Sequence, residues 1–153
     1  MFCVFYLAVC GELSSPQIVG EHDGVYYYTI GQRRGLDIKN GKGPYFVVKK
    51  DIKKNIIYVG REKDLYSKKA KIKDINWTNK PDKFPALVDV RTRYRAPLIK
   101  AEIKKDGTVI FKKPERAVTP GQSAVFYAPV RSSGAKEGKG QQVFGGGTID
   151  KSL

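Results

Sequence analysis

The chain has 153 residues, room for one ordinary domain or two small ones with a modest core. Lys and Arg number 29 against 15 Asp and Glu, a net charge of +14, which suits a polyanionic partner and leaves an anionic membrane surface or simple solubility as the other readings. Two cysteines (Cys3 and Cys10) and one histidine (His22) are too few for a Cys/His zinc site of standard spacing.

The first ten residues, MFCVFYLAVC, are uninterrupted apolar sequence. They are too short to span a bilayer as a helix, and no basic region precedes them as it would in a secretory leader. A buried first strand, or the start of a shortened reading frame, is the expectation. Their apolar setting is a poor one for a lowered thiol pKa, so both cysteines read as structural or incidental. Residues 1–32 hold no Lys or Arg, whereas residues 33–113 hold 24 Lys and Arg against nine acids. The basic field therefore belongs to the middle of the chain.

Beyond residue 20 the pattern is short β-type runs between turn signals. Val25 to Ile30 (VYYYTI) is aromatic and β-branched, which predicts a strand. Thr29 can cap a single helical turn that Gly35 ends. Residues 45–50 and 55–60 flank a polar turn and predict a hairpin. Residues 67–75 alternate basic and apolar side chains, as on a half-exposed strand. Asn79, Pro81 and Pro85 mark a soft boundary near 77–85. Strands are then predicted over 87–95, 98–104, 108–113, 123–127 and 143–149, the second and third pairing around Asp106-Gly107. Residues 131–142 read as an exposed loop, rich in Gly, Ser and Lys. So many short strands in so few residues point to a small closed or nearly closed barrel, because closure removes edges.

Three groups of residues could carry function. Arg91, Arg93 and Arg95 alternate in VDVRTRYR, so a regular strand would set them in a row on one face, about 7 Å apart. Such a row is either a surface that tracks a phosphate backbone or a solvated face with cross-strand ion pairs. Arg33 and Arg34 stand in a Gly-bounded turn beside Tyr26, Tyr27 and Tyr28. Basic residues next to aromatics can hold unpaired bases, or the tyrosines can be core. Gln122, in the turn Pro120-Gly121-Gln122, can present its amide to a base or ribose, or be a plain turn residue. Gly145 to Gly147 allow a bulge or a close backbone approach. No phosphate-cradling GxxxxGK[ST] loop, paired acids in an apolar setting, Ser/His/Asp arrangement or metal cluster is present in the sequence. His22, between Glu21 and Asp23, reads as a turn or capping residue rather than acid–base machinery.

Six segments together resemble the C-terminal half of the bacterial and organellar tRNA-specific 2-thiouridylases (tRNA-uridine 2-sulfurtransferases). They are GEHDGVYYYTIGQRRGL at 20–36, PYFVVKKD at 44–51, NIIYVG at 55–60, RTRYR at 91–95, ERAVTPGQSAVFY at 115–127 and GGGTI at 145–149. They follow one another in the family's order. The resemblance implies an N-terminal ATP-pyrophosphatase domain that uses ATP to adenylate the wobble uridine, two sulfur-transferring cysteines, a small central domain and a C-terminal β-barrel. This sequence holds no SGGxDS loop. Cys10, in AVCGEL, does not match the family's Cys-Phe-Ile context, so no catalytic role passes to it. By motif, Arg93 and Tyr94 of TRYR and Gln122 of TPGQ are implied to contact tRNA. A strand end or bulge at 93–94 would let these adjacent side chains serve one partner.

The expected fold is mainly β. Residues 1–19 carry no domain assignment, 20–75 form a small central mixed β domain with a short helix, and 76–153 form a small antiparallel β-barrel. The expected function is to bind and position tRNA through Arg93, Tyr94, Gln122, Arg91, Arg95, Arg33 and Arg34. The chemistry would come from an ATP-pyrophosphatase domain and a sulfur-donor protein, in the cytoplasm and away from membranes. No catalytic residue, metal or cofactor is expected within the chain itself, so it is expected to be inactive alone. The alternative is a stand-alone adaptor that retains the barrel and works with a separately encoded catalytic partner.

Overall fold

A computed structural model of the chain describes residues 4–8, 17–39, 43–129 and 141–153. The chain divides into two compact units, Met1–Tyr66 and Ser67–Leu153. The division expected at 75/76 falls inside a strand, because residues 67–75 pair within the second unit.

The first unit is a four-stranded sheet in the order β2-β1-β4-β3, formed by β1 (Val4–Ala8), β2 (Gln17–His22), β3 (Phe46–Asp51) and β4 (Ile56–Gly60). β1 runs antiparallel to β2 and parallel to β4. The predicted hairpin is β3 and β4, paired antiparallel from Phe46 opposite Gly60 to Asp51 opposite Ile56. Its inward residues Val47, Ile57 and Val59 are fully buried and join Val25, Leu36 and Tyr45 in one core. Full burial of such side chains contributes about 1.5–3 kcal/mol each.

The strand predicted over Val25–Ile30 is not one. Val25–Tyr27 form a single 3-10 turn, and the strand of this region is β2, just upstream. A tyrosine's preference for strands comes from packing on a pleated, half-buried surface, and no neighbouring strand supplies one here. The Val25 N–H goes instead to the Asn55 side-chain oxygen at 3.0 Å, and the Tyr27 and Tyr28 N–H groups close back on Gly24 and Val25. Val25 alone of the three is buried, while Tyr26 and Tyr27 are each 77% exposed. Tyr28 is the tyrosine that packs against the core. The helical turn expected from Thr29 is a closed turn, in which Gln32 N–H donates to the Thr29 carbonyl and the Gln32 Oε1 accepts the Thr29 N–H, both at 3.0 Å. A second 3-10 turn, Glu62–Leu65, starts where the Asp64 carboxylate accepts the Arg61 N–H at 2.8 Å.

The second unit is a closed six-stranded barrel, β10-β5-β8-β7-β6-β9. Its strands are β5 (Tyr66–Trp77), β6 (Ala86–Arg91), β7 (Ile99–Ile103), β8 (Thr108–Arg116), β9 (Ser123–Tyr127) and β10 (Val143–Ser152). Closure leaves no free barrel edge to pair with another chain. Ile72, Val88, Val90, Ile103, Val109, Phe111, Phe126 and Ile149 fill the interior. Trp77, placed by sequence at a boundary, instead stacks on Phe126 with ring centroids 5.8 Å apart. The β7–β8 hairpin turns through Lys105–Gly107, closed by Lys104 N–H to the Thr108 carbonyl at 2.8 Å, with Gly107 in the left-handed region. The loop expected over 131–142 lies outside the described residues up to 140. Gln141 is half-buried and donates to Asp89 Oδ2 at 2.8 Å and to the Ala128 carbonyl at 2.6 Å. Among the described residues, no helix is long and apolar enough to cross a membrane, and no cluster of three metal-ligating side chains occurs.

Candidate nucleic-acid interface

The row of three arginines on one strand face is overturned. β6 ends at Arg91, and the register sets Val90 opposite Ile99, so the residues between form the β6–β7 connection. The chain must reverse there. Ala96 N–H closes a turn on the Arg93 carbonyl at 3.2 Å, and Arg95 takes a left-handed φ of 60°. The strand end that would let Arg93 and Tyr94 serve one partner is therefore present.

The four side chains take different environments. Arg91 is half-buried with its guanidinium 5.7 Å from the Tyr127 ring centroid, a cation–π distance. Its Nε is buried and has no hydrogen-bond partner among the described residues. Arg93 is half-buried, and its Nη2 donates to the Ala117 carbonyl at 2.5 Å and to Thr119 Oγ1 at 3.3 Å. Tyr94 is 88% exposed, with the Arg95 guanidinium 5.2 Å over its ring. An exposed aromatic ring backed by a guanidinium offers a flat, cationic platform.

The turn that receives Arg93 also carries Gln122. Residues 117–122 connect β8 to β9. Gly121 N–H donates to the Ile149 carbonyl, and Ile149 N–H to the Gln122 carbonyl, both at 2.8 Å, so β10 fixes the turn. The Gln122 Oε1 is buried without a hydrogen-bond partner among the described residues. Unmet buried polar atoms are costly in a finished interior and are expected where a ligand or water completes them. One step further back, the Thr92 hydroxyl donates to Glu115 Oε1 at 3.1 Å and ties the β6–β7 connection to the end of β8. Arg91, at the end of β6, and Arg93, Tyr94, Arg95 and Gln122, from the two linked connections, thus belong to one end of the barrel. The sequence reading missed Thr92, Glu115, Ala117 and Thr119, the residues that link them. Of these, only Thr119 lies in the TPGQ turn, and the pairing that brings Thr92, Glu115 and Ala117 together has no local sequence signal.

Arg33 and Arg34 belong to the first unit and are exposed. The Arg34 carbonyl accepts Gln32 Nε2 at 2.9 Å, which fixes the backbone of that turn. Among the described residues two titrating groups are shifted, both outside the β6–β7 and β8–β9 connections. The Thr108 N–H, with the Thr108 hydroxyl and the Lys71 ammonium, brings Asp106 in the β7–β8 turn down to about 2. Burial lowers the His22 imidazole below its usual value, with Asp23 and the Asn55 backbone opposing. His22 Nδ1 accepts the Gly24 N–H at 3.0 Å, which is the turn-capping role its setting suggested.

Comparison with known proteins covers both units. Residues 67–149 match the family model described as an aminomethyltransferase β-barrel domain, and residues 10–61 match that of the tRNA methyl transferase PRC-barrel domain. Among similar curated proteins, the tRNA-specific 2-thiouridylase MnmA of Chlamydia abortus is 39% identical over 150 residues, covering 93% of this chain and 38% of the relative. MnmA 2 of Geobacillus kaustophilus is 43% identical over 144 residues (88% and 36%), and MnmA of Streptococcus mutans is 42% identical over 143 residues (86% and 35%). The chain spans a little over a third of the length of the curated relatives it matches.

Proposed function

The chain belongs to the tRNA-specific 2-thiouridylase family, to whose central and C-terminal barrel domains it corresponds, and from that premise we propose that it is the part that grips tRNA and positions the wobble uridine for 2-thiolation. The linked pair of barrel connections carries this reading, because it gathers Arg91, Arg93, Tyr94, Arg95 and Gln122 from segments otherwise far apart in sequence. On this reading each residue has a task its chemistry suits. Arg93 uses one nitrogen inside the protein and offers its remaining N–H groups to phosphate. The exposed Tyr94 ring stacks on an unpaired base. The Gln122 Oε1 accepts from a ribose 2′-hydroxyl or a base amino group. Arg91 and Arg95 add positive charge beside them, and the exposed Arg33 and Arg34 of the first unit are tRNA contacts in their own right.

The reaction itself needs groups these residues do not supply. An ATP-pyrophosphatase domain, its ATP and a sulfur-donor protein would provide activation and sulfur, in the cytoplasm. The chain's own work is binding and orientation, which convert a diffusional encounter into a fixed approach. A filter-binding salt titration with tRNA tests the reading. Several phosphate contacts predict a steep fall of log affinity with log salt, roughly 0.7–0.9 per contact. A slope near zero would rule the reading out, because phosphate contacts release counterions.

A further inference from the structure

We infer that Thr119 is a positioning residue for Arg93: together with the Ala117 carbonyl it holds one terminal nitrogen of the guanidinium, so that the remaining N–H groups are set for RNA phosphate. The inference rests on the reading of this end of the barrel as an RNA contact. The role it assigns to Thr119 is exerted through Arg93.

The geometry is a closed set of three hydrogen bonds. Arg93 Nη2 carries two protons, and the two acceptors it meets are the Ala117 carbonyl at 2.5 Å and Thr119 Oγ1 at 3.3 Å. The Thr119 hydroxyl donates its own proton to the same Ala117 carbonyl at 2.9 Å. That donation turns the hydroxyl lone pairs toward Arg93, so Thr119 can serve only as acceptor there. Ala117 is buried at 2% exposure and holds a left-handed φ of 51°, a conformation that non-glycine residues keep only where surrounding contacts impose it. With Nη2 engaged, three N–H donors remain on Nε and Nη1. A long arginine loses several rotatable bonds each time it grips a ligand, and a side chain already held in place loses fewer. The hold is therefore preorganisation rather than a competitor for the charge, because the guanidinium stays ionised throughout.

Full-chain protein and a tRNA transcript suffice for the test. Thr119→Val removes the acceptor and keeps the side-chain shape. It is expected to weaken tRNA binding about five-fold with the salt slope unchanged, since every charge remains. Arg93→Ala should weaken binding further and reduce the slope by about 0.7–0.9. The double variant should bind no worse than Arg93→Ala alone, and Thr119→Ser should restore binding. Wild-type affinity in Thr119→Val, or losses that multiply in the double variant, would overturn the inference. A second readout needs no RNA: in 15N NMR of the free protein, the Arg93 Nη2 protons should be separately resolved in wild type and averaged in Thr119→Val. Averaged signals in wild type would refute the hold itself. Unchanged tRNA binding in Arg93→Ala, with the hold intact by NMR, would instead refute the RNA reading of this end.

Discussion

His22 shows how one residue's surroundings set a pH response. It is 7% exposed, its ring meets the Tyr28 ring edge-on at 5.4 Å, and its Nδ1 accepts the Gly24 N–H. Protonation would put a charge in a buried site and remove the lone pair that Gly24 uses. Burial accordingly lowers the folded-state pKa below the ordinary histidine value of about 6.5. Between those two values the unfolded chain binds the extra proton, so stability must rise with pH through that window. The contribution is complete above about 6.5 and is lost as pH falls through the lower, folded value. His22 is the chain's single histidine, so its imidazole signal can be followed by NMR without assignment. A titration midpoint below 6.5 is expected, together with a fall in the denaturant midpoint between pH 7.5 and pH 5. His22→Asn, which keeps a neutral acceptor near the Nδ1 position, should flatten that fall. A midpoint at or above 6.5 would mean that Asp23 outweighs burial.

At the scale of the element, β10 is the strand whose sequence most plainly anticipates its environment. It pairs with β5 on one side, where the register shifts between Gly146 and Thr148 and again between Ile149 and Lys151, and with β9 on the other, where it shifts between Val143 and Gly145. The bulge and the close backbone approach expected of Gly145–Gly147 are both found. Gly145 has φ 154°, and a side chain there would run into the Asn76 carbonyl and the Trp77 backbone. Gly121 also has positive φ, at 87°, but nothing lies within 4 Å of where its side chain would be. Gly121→Ala should therefore cost only backbone strain, about 1–2 kcal/mol. Gly145→Ala should add overpacking of about 1–3 kcal/mol to that strain. Urea unfolding followed by Trp77 fluorescence measures both, and equal losses would show that the β5 backbone gives way. The hairpins β3–β4 and β7–β8, and β9, were legible because polar turn residues bound alternating runs. Val25–Tyr27 was not, because aromatic residues specify a strand only when a neighbour supplies a surface. The candidate site was half legible. Arg93, Tyr94 and Gln122 stood out by motif, but the end of β6 at Arg91 follows from Val90 pairing with Ile99, a long-range register that no local pattern encodes.

For the whole molecule the question is how much binding comes from the charge field and how much from the assembled contacts. A net charge of +14 attracts any polyanion, and residues 33–113 carry 24 of the 29 Lys and Arg side chains. That attraction is blind to sequence and shape and is screened within about 10 Å at 0.1 M salt and about 3 Å at 1 M. On the proposed reading, base stacking on Tyr94 and a hydrogen bond accepted by Gln122 would act at contact distance and release few counterions. The two contributions should therefore separate as salt is raised. At about 50 mM salt the field dominates, and tRNA, poly-uridine and duplex RNA are expected to compete within a few-fold of one another. Toward about 0.3 M the field term falls for all three, and only a ligand that fits the barrel connections keeps its contact terms. tRNA should then outcompete the other two by at least about ten-fold, the equivalent of roughly 1.4 kcal/mol of salt-insensitive contact. Competition binding across that salt range decides the matter. If tRNA and poly-uridine lose affinity in parallel and never diverge, the basic field alone explains the binding, and the gathering of Arg93, Tyr94 and Gln122 contributes nothing selective.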